Sequence, residues 1–330
     1  MTTPFVPQSR DGVDASVIIP THQRVAAVLR ALDRLTTQTV VPARFEVIVV
    51  VDGSRDGTAG RLAALEPPFR LIGHEQAQRG RAAACNAGLA RASGGIVVFL
   101  DDDMEPEPGW LAGHLAAHEP SSIVRGVMGA APCIREPDMP RVARHLADRF
   151  DRHLAKLART GAPSFRDVYT GNFSIRRRVL DEIGGFDEAF AVYGNEDGEL
   201  ALRLAAAGVP IEFAAAAIAR QHQDKTLEVA FADAVAKGRT AVLLARKHPR
   251  AAAELRFGRH ASGRRRVVRQ AVALADRVIP GLPVIVRAVT RVLERFDPPG
   301  LDRWYGGVLE YAYFRGVRLA RATDAAWSGP

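Results

Sequence analysis

The sequence predicts an α/β fold built on a parallel sheet with helices on its faces. Short apolar runs alternate with stretches of helical periodicity over residues 15–103. Three of those runs end in polar residues, at Pro20-Thr21, at Asp52 and at Asp101-Asp102-Asp103. The composition, 47% hydrophobic and 25% charged over 330 residues, suits one large domain or a domain with an appendage.

Residues 1–14 form a polar, proline-containing lead and are expected to be a flexible arm. The run 15–21 (ASVIIPT) reads as a strand stopped by its proline, and Val25, Val28, Leu29, Leu32 and Leu35 follow at helical spacing. A second run, 45–51, ends at Asp52. Gly53-Ser54 and Asp56-Gly57-Thr58 then turn the chain into a helix through Leu62 and Leu65. Residues 69–72 (FRLI) form a weaker strand, and Arg79-Gly80-Arg81 opens a helix through Leu89. At the centre of the pattern stands 94–103 (GGIVVFLDDD), whose apolar residues from Ile96 to Leu100 read as a strand buried on both faces. Asp is poor in strands, so the run ends where the acids begin. Beyond it, Pro106 and Pro108 break the chain before a helix to about His118. Residues 123–134 read as a strand, 139–160 as a basic helix, 169–177 as extended, 184–188 as a turn, and 193–200 as the lead into a further helix.

Three adjacent carboxylates repel one another unless a positive charge sits among them. A divalent cation carrying phosphates meets that need, because hard cations take oxygen ligands and are often held by one or two carboxylates plus substrate phosphates. In an extended chain Asp101 and Asp103 share a face. Open α/β sheets bind ligands beyond the C-terminal ends of their strands, so the three polar strand ends outline a nucleotide-sized crevice. No Gly-x-Gly-x-x-Gly follows the first strand and no Gly-x-x-x-x-Gly-Lys-Ser/Thr occurs, which excludes a dinucleotide fingerprint and a P-loop.

The two cysteines, Cys85 and Cys133, form no disulfide framework or metal-ligand spacing and point to a reducing, cytoplasmic compartment. The N-terminus has no basic-then-apolar signal pattern, and no uncharged apolar stretch of about 18 residues predicts a membrane-spanning helix. The net charge of +8 is uneven: residues 239–330 carry 18 Lys and Arg against 7 Asp and Glu, or +11, and the remainder carries −3. That asymmetry points to an anionic membrane surface as partner, peripheral on the inner face, with no nucleic acid expected. Within this quarter Val286, Val289, Val292/Leu293 and Phe296 share helical spacing, while Arg287, Arg291 and Arg295 repeat every four, which is an amphipathic basic helix, read either as packed on the catalytic body with a solvated face or as resting on a membrane. Arg264-Arg265-Arg266 precedes it, and Tyr311, Phe314 and Trp327 add aromatic anchors.

Seven blocks, in order, resemble family 2 glycosyltransferases: 16–24 (SVIIPTHQR), 49–58 (VVVDGSRDGT), 82–89 (AAACNAGL), 99–103 (FLDDD), 171–176 (GNFSIR), 184–188 (GGFDE) and 195–200 (NEDGEL). The resemblance covers roughly residues 15–225. It implies a GT-A fold, with a mostly parallel central sheet flanked by helices and a helical C-terminal appendage. It also implies inverting transfer of a sugar from a nucleotide-diphosphate donor to a hydroxyl acceptor, assisted by Mg2+ or Mn2+. A UDP-sugar is the expected donor, and cell-envelope polysaccharide or glycolipid synthesis, with a lipid-linked acceptor, the expected setting.

By the same resemblance Pro20, Thr21 and Arg24 line the donor pocket, and Asp52 accepts a hydrogen bond from the base. Asp101 is the ribose-side acid, with Asp102 beside it, and Asp103 completes the Asp-x-Asp pair as metal ligand, joined by His222. Asp197 is the catalytic base, with Glu196 as its partner. Trp110, Gly171 and Asn172 are expected on the acceptor side. The family pattern carries Arg or Lys where this chain has Cys85, so Arg81 or Arg79 is expected to supply that charge, and Cys85 reads as a small apolar filler. The expected division is an arm at 1–14, a catalytic domain at 15–238 with halves 15–103 and 104–238, and a basic helical region at 239–330. Two rival readings are a nucleotidyltransferase, which lacks its glycine-rich basic loop here, and a non-catalytic sugar- or lipid-binding scaffold, against which Asp52, Asp103 and Asp197 stand.

Overall fold

The computed structural model describes residues 12–119, 122–161, 163–255 and 264–322, without the side chains of 264–269. The expected arm lies outside the described residues as far as residue 11, as do Trp327 and the side chains of Arg264-Arg265-Arg266. In order, the elements are β1 (Ala15–Thr21), α1 (Val25–Leu35), β2 (Phe45–Asp52), α2 (Thr58–Ala63), β3 (Arg70–Gln76), α3 (Arg81–Leu89), β4 (Ile96–Leu100), β5 (Met104–Pro106), α4 (Trp110–Ala117), β6 (Gly126–Ala130), α5 (Arg141–Thr160), β7 (Asn172–Arg176), α6 (Arg177–Ile183), α7 (Glu196–Ala206) and β8 (Ile211–Gln221). The chain continues through α8 (Leu227–Lys247), α9 (Arg264–Val278), α10 (Leu282–Phe296) and α11 (Leu301–Ala322). None of the described helices is long and apolar enough to cross a membrane.

These elements form two compact units. One holds the residues up to Arg135 with Arg149–Ala191 and Glu196–His222; the other holds Glu136–Asp148, Val192–Asn195 and the chain from Gln223 on. The division expected after residue 238 falls inside α8, which runs unbroken from Leu227 to Lys247.

The first unit is the sheet, in the order β3-β2-β1-β4-β7-β6-β8-β5. β3, β2, β1 and β4 are parallel, as the alternation of strands and helices requires, and β7 then joins β4 antiparallel. Side chains alternate along each strand, so the continuous apolar runs feed two cores at once. Val17, Ile19, Val47, Val49 and Val98 pack with α1 on one face; Ile18, Ile48, Val50, Val97 and Phe99 pack with α3 on the other. At the N-terminal edge of the sheet the buried Glu46 ties three strands together. It accepts from Ser16 Oγ at 2.7 Å, Ser93 N at 2.6 Å and Arg70 Nη1 at 3.1 Å.

Three strands differ from expectation. β1 passes through Pro20 to Thr21 rather than stopping, because its pairing with β4 ends at Ile18↔Phe99 while pairing with β2 continues to Thr21↔Val51. Proline lacks a ladder donor, and here only one neighbouring strand remains. The strand expected over 123–134 contracts to β6, where an irregularity at Gly129/Ala130 interrupts its register with β8. β8 itself, alanine-rich from 214 to 217, carries no sequence signal of alternation.

The second unit is helical. Its core gathers Leu227, Phe231, Tyr305, Val308 and Ala312. Glycines set how closely α8 and α11 approach: a Cβ on Gly316 would stand 2.0 Å from the Val235 carbonyl oxygen, and one on Gly238 2.0 Å from that of Tyr313. Both obstacles are backbone, so the helices must part to admit a methyl group. Gly316→Ala should therefore destabilise the protein by about 1–3 kcal/mol, the range of overpacked cores. The check is a lowered urea midpoint with an unchanged slope; an unchanged midpoint would show that the crossing is loose.

Candidate active site at the C-terminal ends of the strands

Asp52 ends β2 and organises the loop after β3. Its Oδ1 accepts from Arg79 N at 2.8 Å and Gln76 Nε2 at 2.9 Å, and its Oδ2 accepts from Gly80 N at 2.8 Å. With 5% exposure and donors from Gln76, Arg79 and Gly80, the carboxylate holds the loop that forms the pocket wall. Beside it opens a cleft of about 840 Å³, lined by His22, Gly53, Ser54, Arg55, Gln76 and Gln78 among others. Pro20 and Thr21 do not line that cleft. Both are buried, and Thr21 donates its hydroxyl to Asp102 Oδ2 at 2.7 Å.

The loop that Asp52 holds leads directly into Arg81, the first residue of α3. Its guanidinium donates to Asp101 Oδ1 from Nε at 3.0 Å and Nη2 at 2.8 Å, to Thr170 Oγ1 at 2.8 Å and to Asp197 Oδ1 at 3.3 Å. Thr170 in turn donates to Asp197. Of the two arginines expected to supply the charge, Arg81 reaches the acids Asp101 and Asp197, while Arg79 reaches Glu188. Cys85 is the filler expected: burial pushes its thiol up to about 12. Gly171, on the acceptor side of the expected site, is required by close approach, since a Cβ there would meet Asp101 Oδ2 at 2.3 Å.

Glu196 and Asp197 open α7 and part at once. Asp197 turns to Arg81 and Thr170. Glu196 is buried, with Oε2 bonded to no partner among the described residues, and its carboxyl is pushed well above the usual range by burial first and by the charge of Asp197 second.

The acids after β4 do not alternate as an extended chain would. The strand ends at Leu100 and the three acids enter a turn closed by Met104 N on Asp101 O at 3.2 Å. So Asp101 meets Arg81, Asp102 meets Thr21, and Arg24 Nη1 stands 3.4 Å from both Asp102 Oδ1 and Asp103 Oδ2. Burial raises Asp102 to about 7 in spite of Arg24. His222 joins here, its backbone N–H on Asp103 O at 2.9 Å and its Nε2 against Glu105 Oε1 at 2.7 Å. Among the described residues no cluster of three or more His, Cys, Asp or Glu forms a closed metal cage. The donor set does fit a hard cation held by few protein ligands and completed by phosphate oxygens. Glu105 would be the outer carboxylate that orients a ligating histidine.

Trp110 and Asn172, expected to meet an acceptor, belong to the core. Trp110 is fully buried and donates its indole N–H to Asn172 Oδ1 at 2.7 Å. Asn172 donates to Ala130 O and Ala217 O, each at 2.9 Å. Those two bonds fix which end of the amide accepts, so His114 Nε2, at 2.8 Å from Oδ1, must be the donor. His114 Nδ1 then accepts from Ser174 Oγ at 2.9 Å, and His118 Nε2 donates to the same hydroxyl at 2.9 Å. Every member of the chain is neutral. Burial holds His114 down at about 4 and His118 at about 3. Sequence reasoning missed Thr170, Glu105 and this relay; the signal for the relay was present, in Trp110, His114 and His118 spaced by four and in Asn172, Ser174 and Arg176 spaced by two.

The family model of glycosyl transferase family 2 matches residues 16–184, and that of the N-terminal domain of galactosyltransferase matches residues 155–225. A validoxylamine A glucosyltransferase of Streptomyces hygroscopicus subsp. limoneus is 32% identical over 221 residues, or 59% of this chain and 49% of that protein. A pre-mycofactocin glycosyltransferase of Mycobacterium tuberculosis (strain CDC 1551 / Oshkosh) is 29% identical over 253 residues, or 74% of this chain and 50% of that protein. The chain spans about half the length of the curated relatives it matches. In fold it resembles the mannosyltransferase PcManGT from Pyrobaculum calidifontis, solved with GDP-Man and Mn2+, with a TM-score of 0.61 at 20% identity over 97% of this chain and 89% of that one. S. aureus TarS 1-349, solved with UDP-GlcNAc, gives 0.53 at 17% identity over 96% and 93%.

The two buried histidines make a pH prediction. Unfolded, each titrates near about 6.5. Folded, each is depressed, so the unfolded chain binds more protons in between, and stability falls as pH drops from about 6.5 towards about 4. Glu196 acts in the opposite direction, its raised carboxyl losing stability as pH rises. Comparison with His118→Gln cancels that contribution. The variant should lose less in thermal midpoint than the parent between pH 6.5 and pH 5; equal losses would remove His118 from the account.

Proposed function

The chain belongs to glycosyl transferase family 2, and on that premise we propose that it is an inverting, metal-dependent transferase that moves a sugar from a nucleoside-diphosphate donor to a hydroxyl acceptor. Its fold is of the GT-A type. The observation that carries the reading is the meeting of four separate sequence blocks at the strand ends. Arg81 joins Asp101 to Asp197, and Asp103 and His222 are backbone neighbours beside them.

The donor's nucleoside enters the cleft beside Asp52, whose hold on residues 76–80 keeps the wall in place. Uridine is the expected base. Asp103 and His222 would hold Mg2+ or Mn2+, which when bound supplies positive charge to the departing diphosphate. Asp197 takes the proton of the acceptor hydroxyl. The oxygen attacks the anomeric carbon from the face opposite the diphosphate, and the electrons of the breaking C–O bond leave on the diphosphate oxygen. Attack from that face inverts the centre. Glu196 is buried with its carboxyl raised by that burial, and Asp197, paired with Arg81, is the proton acceptor; two adjacent acids in different environments divide the roles. Arg81 and Thr170 hold the Asp197 carboxylate in one orientation. The acceptor belongs to a cell-envelope or lipid-linked compound met on the cytoplasmic face of a membrane.

Asp197→Asn should lower kcat by about 10²–10⁴-fold, the usual worth of a positioned base, with donor affinity nearly unchanged. A loss of donor binding equal to the loss in rate would make Asp197 a binding residue instead. Asp103→Ala should abolish the Mn2+ dependence of donor binding in calorimetry. Equal donor and Mn2+ affinities in variant and parent would place the metal elsewhere. Proton NMR of the product should show the anomeric configuration opposite to the donor's, and retention would exclude the inverting route.

A further inference from the structure

The helical unit carries a second surface that the transferase reaction does not use. α10 has two apolar faces. Leu282, Val286 and Leu293 pack inward, around the buried Thr290, whose hydroxyl bonds Val286 O at 2.7 Å and takes the Trp304 indole N–H at 2.9 Å. The spacing that marked Val286, Val289, Val292/Leu293 and Phe296 as one apolar face thus divides between inside and outside. Ile285, Val289, Val292 and Phe296 recur at i, i+4, i+7 and i+11 and all face outward, Phe296 with 77% of its surface exposed. Leu274 and Val278, one turn apart at the end of α9, are exposed as well. Exposed large apolar residues elsewhere in the described chain, such as Val41, Leu65 and Ile123, are scattered and need no explanation.

We propose that this stripe is a membrane-docking surface, and that its partner is the anionic face of a lipid bilayer. Three observations favour that occupant. The stripe is rimmed by arginine: Arg291, which also pairs with Glu228, and Arg295 each precede a stripe residue, on the adjoining line of the helix, and Arg277 lies between the exposed residues of α9. It also belongs to the part of the chain with a net charge of +11. A second copy would set this basic rim against its own like, whereas anionic headgroups complement it. At 15 residues α10 is roughly 22 Å long, too short to span a bilayer, and its inner face is already committed to the helical core. A helix of this kind lies in the interface, with its apolar side sunk about 5–10 Å among the acyl chains. The proposal rests on the membrane-side acceptor only for its purpose, because binding to vesicles is read without turnover.

The test uses the full chain and vesicles of phosphatidylcholine with or without phosphatidylglycerol. The protein should co-sediment with the anionic vesicles at low salt, and the bound fraction should fall as salt rises. The double variant Val292→Asp, Phe296→Asp changes only exposed positions, and its thermal midpoint should match the parent's. Its vesicle affinity should fall by about tenfold or more, since it removes apolar insertion and adds repulsion. Val41→Asp, an equally exposed apolar site on the other unit, should leave binding unchanged. Absence of binding to anionic vesicles at low salt would overturn the proposal, as would equal binding by the double variant. So would a parent that elutes as a dimer which the double variant splits, because the stripe would then be a contact between copies. A parent chain that binds the anionic vesicles but shows no transfer activity would count against the transferase reading alone.

Discussion

The site depends on one guanidinium. Arg81 sits between Asp101 and Asp197, within 3.3 Å of an oxygen on each, and Glu196 is buried close by. Without a fixed cation those acids would repel one another at close range in a medium that screens poorly. Two unit charges about 4 Å apart interact by about 4 kcal/mol at an effective dielectric of about 20. A mobile surface lysine could not be relied on for that, since its entropy and hydration favour water. Arg81 is instead set in place from behind. Asp52 holds the amides of Arg79 and Gly80, and Gly80 runs directly into the first turn of α3. A carboxylate at the end of β2 thereby fixes the cation that orients a carboxylate at the start of α7. Arg81 lies one helical turn before Cys85 on α3, at the residue that the loop positions best.

Much of this was legible in the sequence because it rests on period and composition. Apolar runs ending in Asp52 and Asp101 mark parallel strands with a polar edge, and the order of the motif blocks marks the rest. What could not be read is where a polar side chain turns once the regular element stops. Asp101, Asp102 and Asp103 leave the strand into a turn, so strand alternation no longer describes them and each finds a different partner. Pro20 reads as a stop because proline usually ends a ladder; β1 continues because β4 has already parted from it. β8 was hidden because a run of alanines has neither the two-residue nor the helical period.

Trp110 and Asn172 show a second limit. Both lie in segments next to the acidic turn, so a reading by proximity puts them at the acceptor. They face the core because α4 and β7 are commensurate. Four residues of helix rise about 6 Å, and two residues of strand about 6.6 Å. Trp110, His114 and His118 therefore stay level with Asn172, Ser174 and Arg176 over two full steps, and each of the six residues makes a hydrogen bond across the interface. Arg176 closes the series by donating to the His118 carbonyl at 2.9 Å. Burying so many polar groups is tolerable only when they are satisfied together. The relay fixes β7 against α4, and β7 begins one residue after the Gly171 that closes on Asp101. Its contribution to the site is thus positional.

The division between Glu196 and Asp197 follows from helix geometry. Successive residues on an α-helix point about 100° apart, so two adjacent acids cannot share an environment. At the first turn of α7 one direction leads into the protein and the other to Arg81 and Thr170. Glu196 takes the first, and burial raises its carboxyl; Asp197 takes the second and keeps a cation beside it. Where the helix begins decides which acid has which environment, and Asn195, at a φ of 70°, is the residue whose backbone turns the chain into that start. Asn accepts this left-handed conformation more readily than most residues. The block NEDGEL therefore encodes more than a pair of carboxylates. Its asparagine sets the entry, the entry sets the rotation of the helix, and the rotation separates a carboxylate paired with Arg81 from a buried neighbour whose carboxyl burial raises.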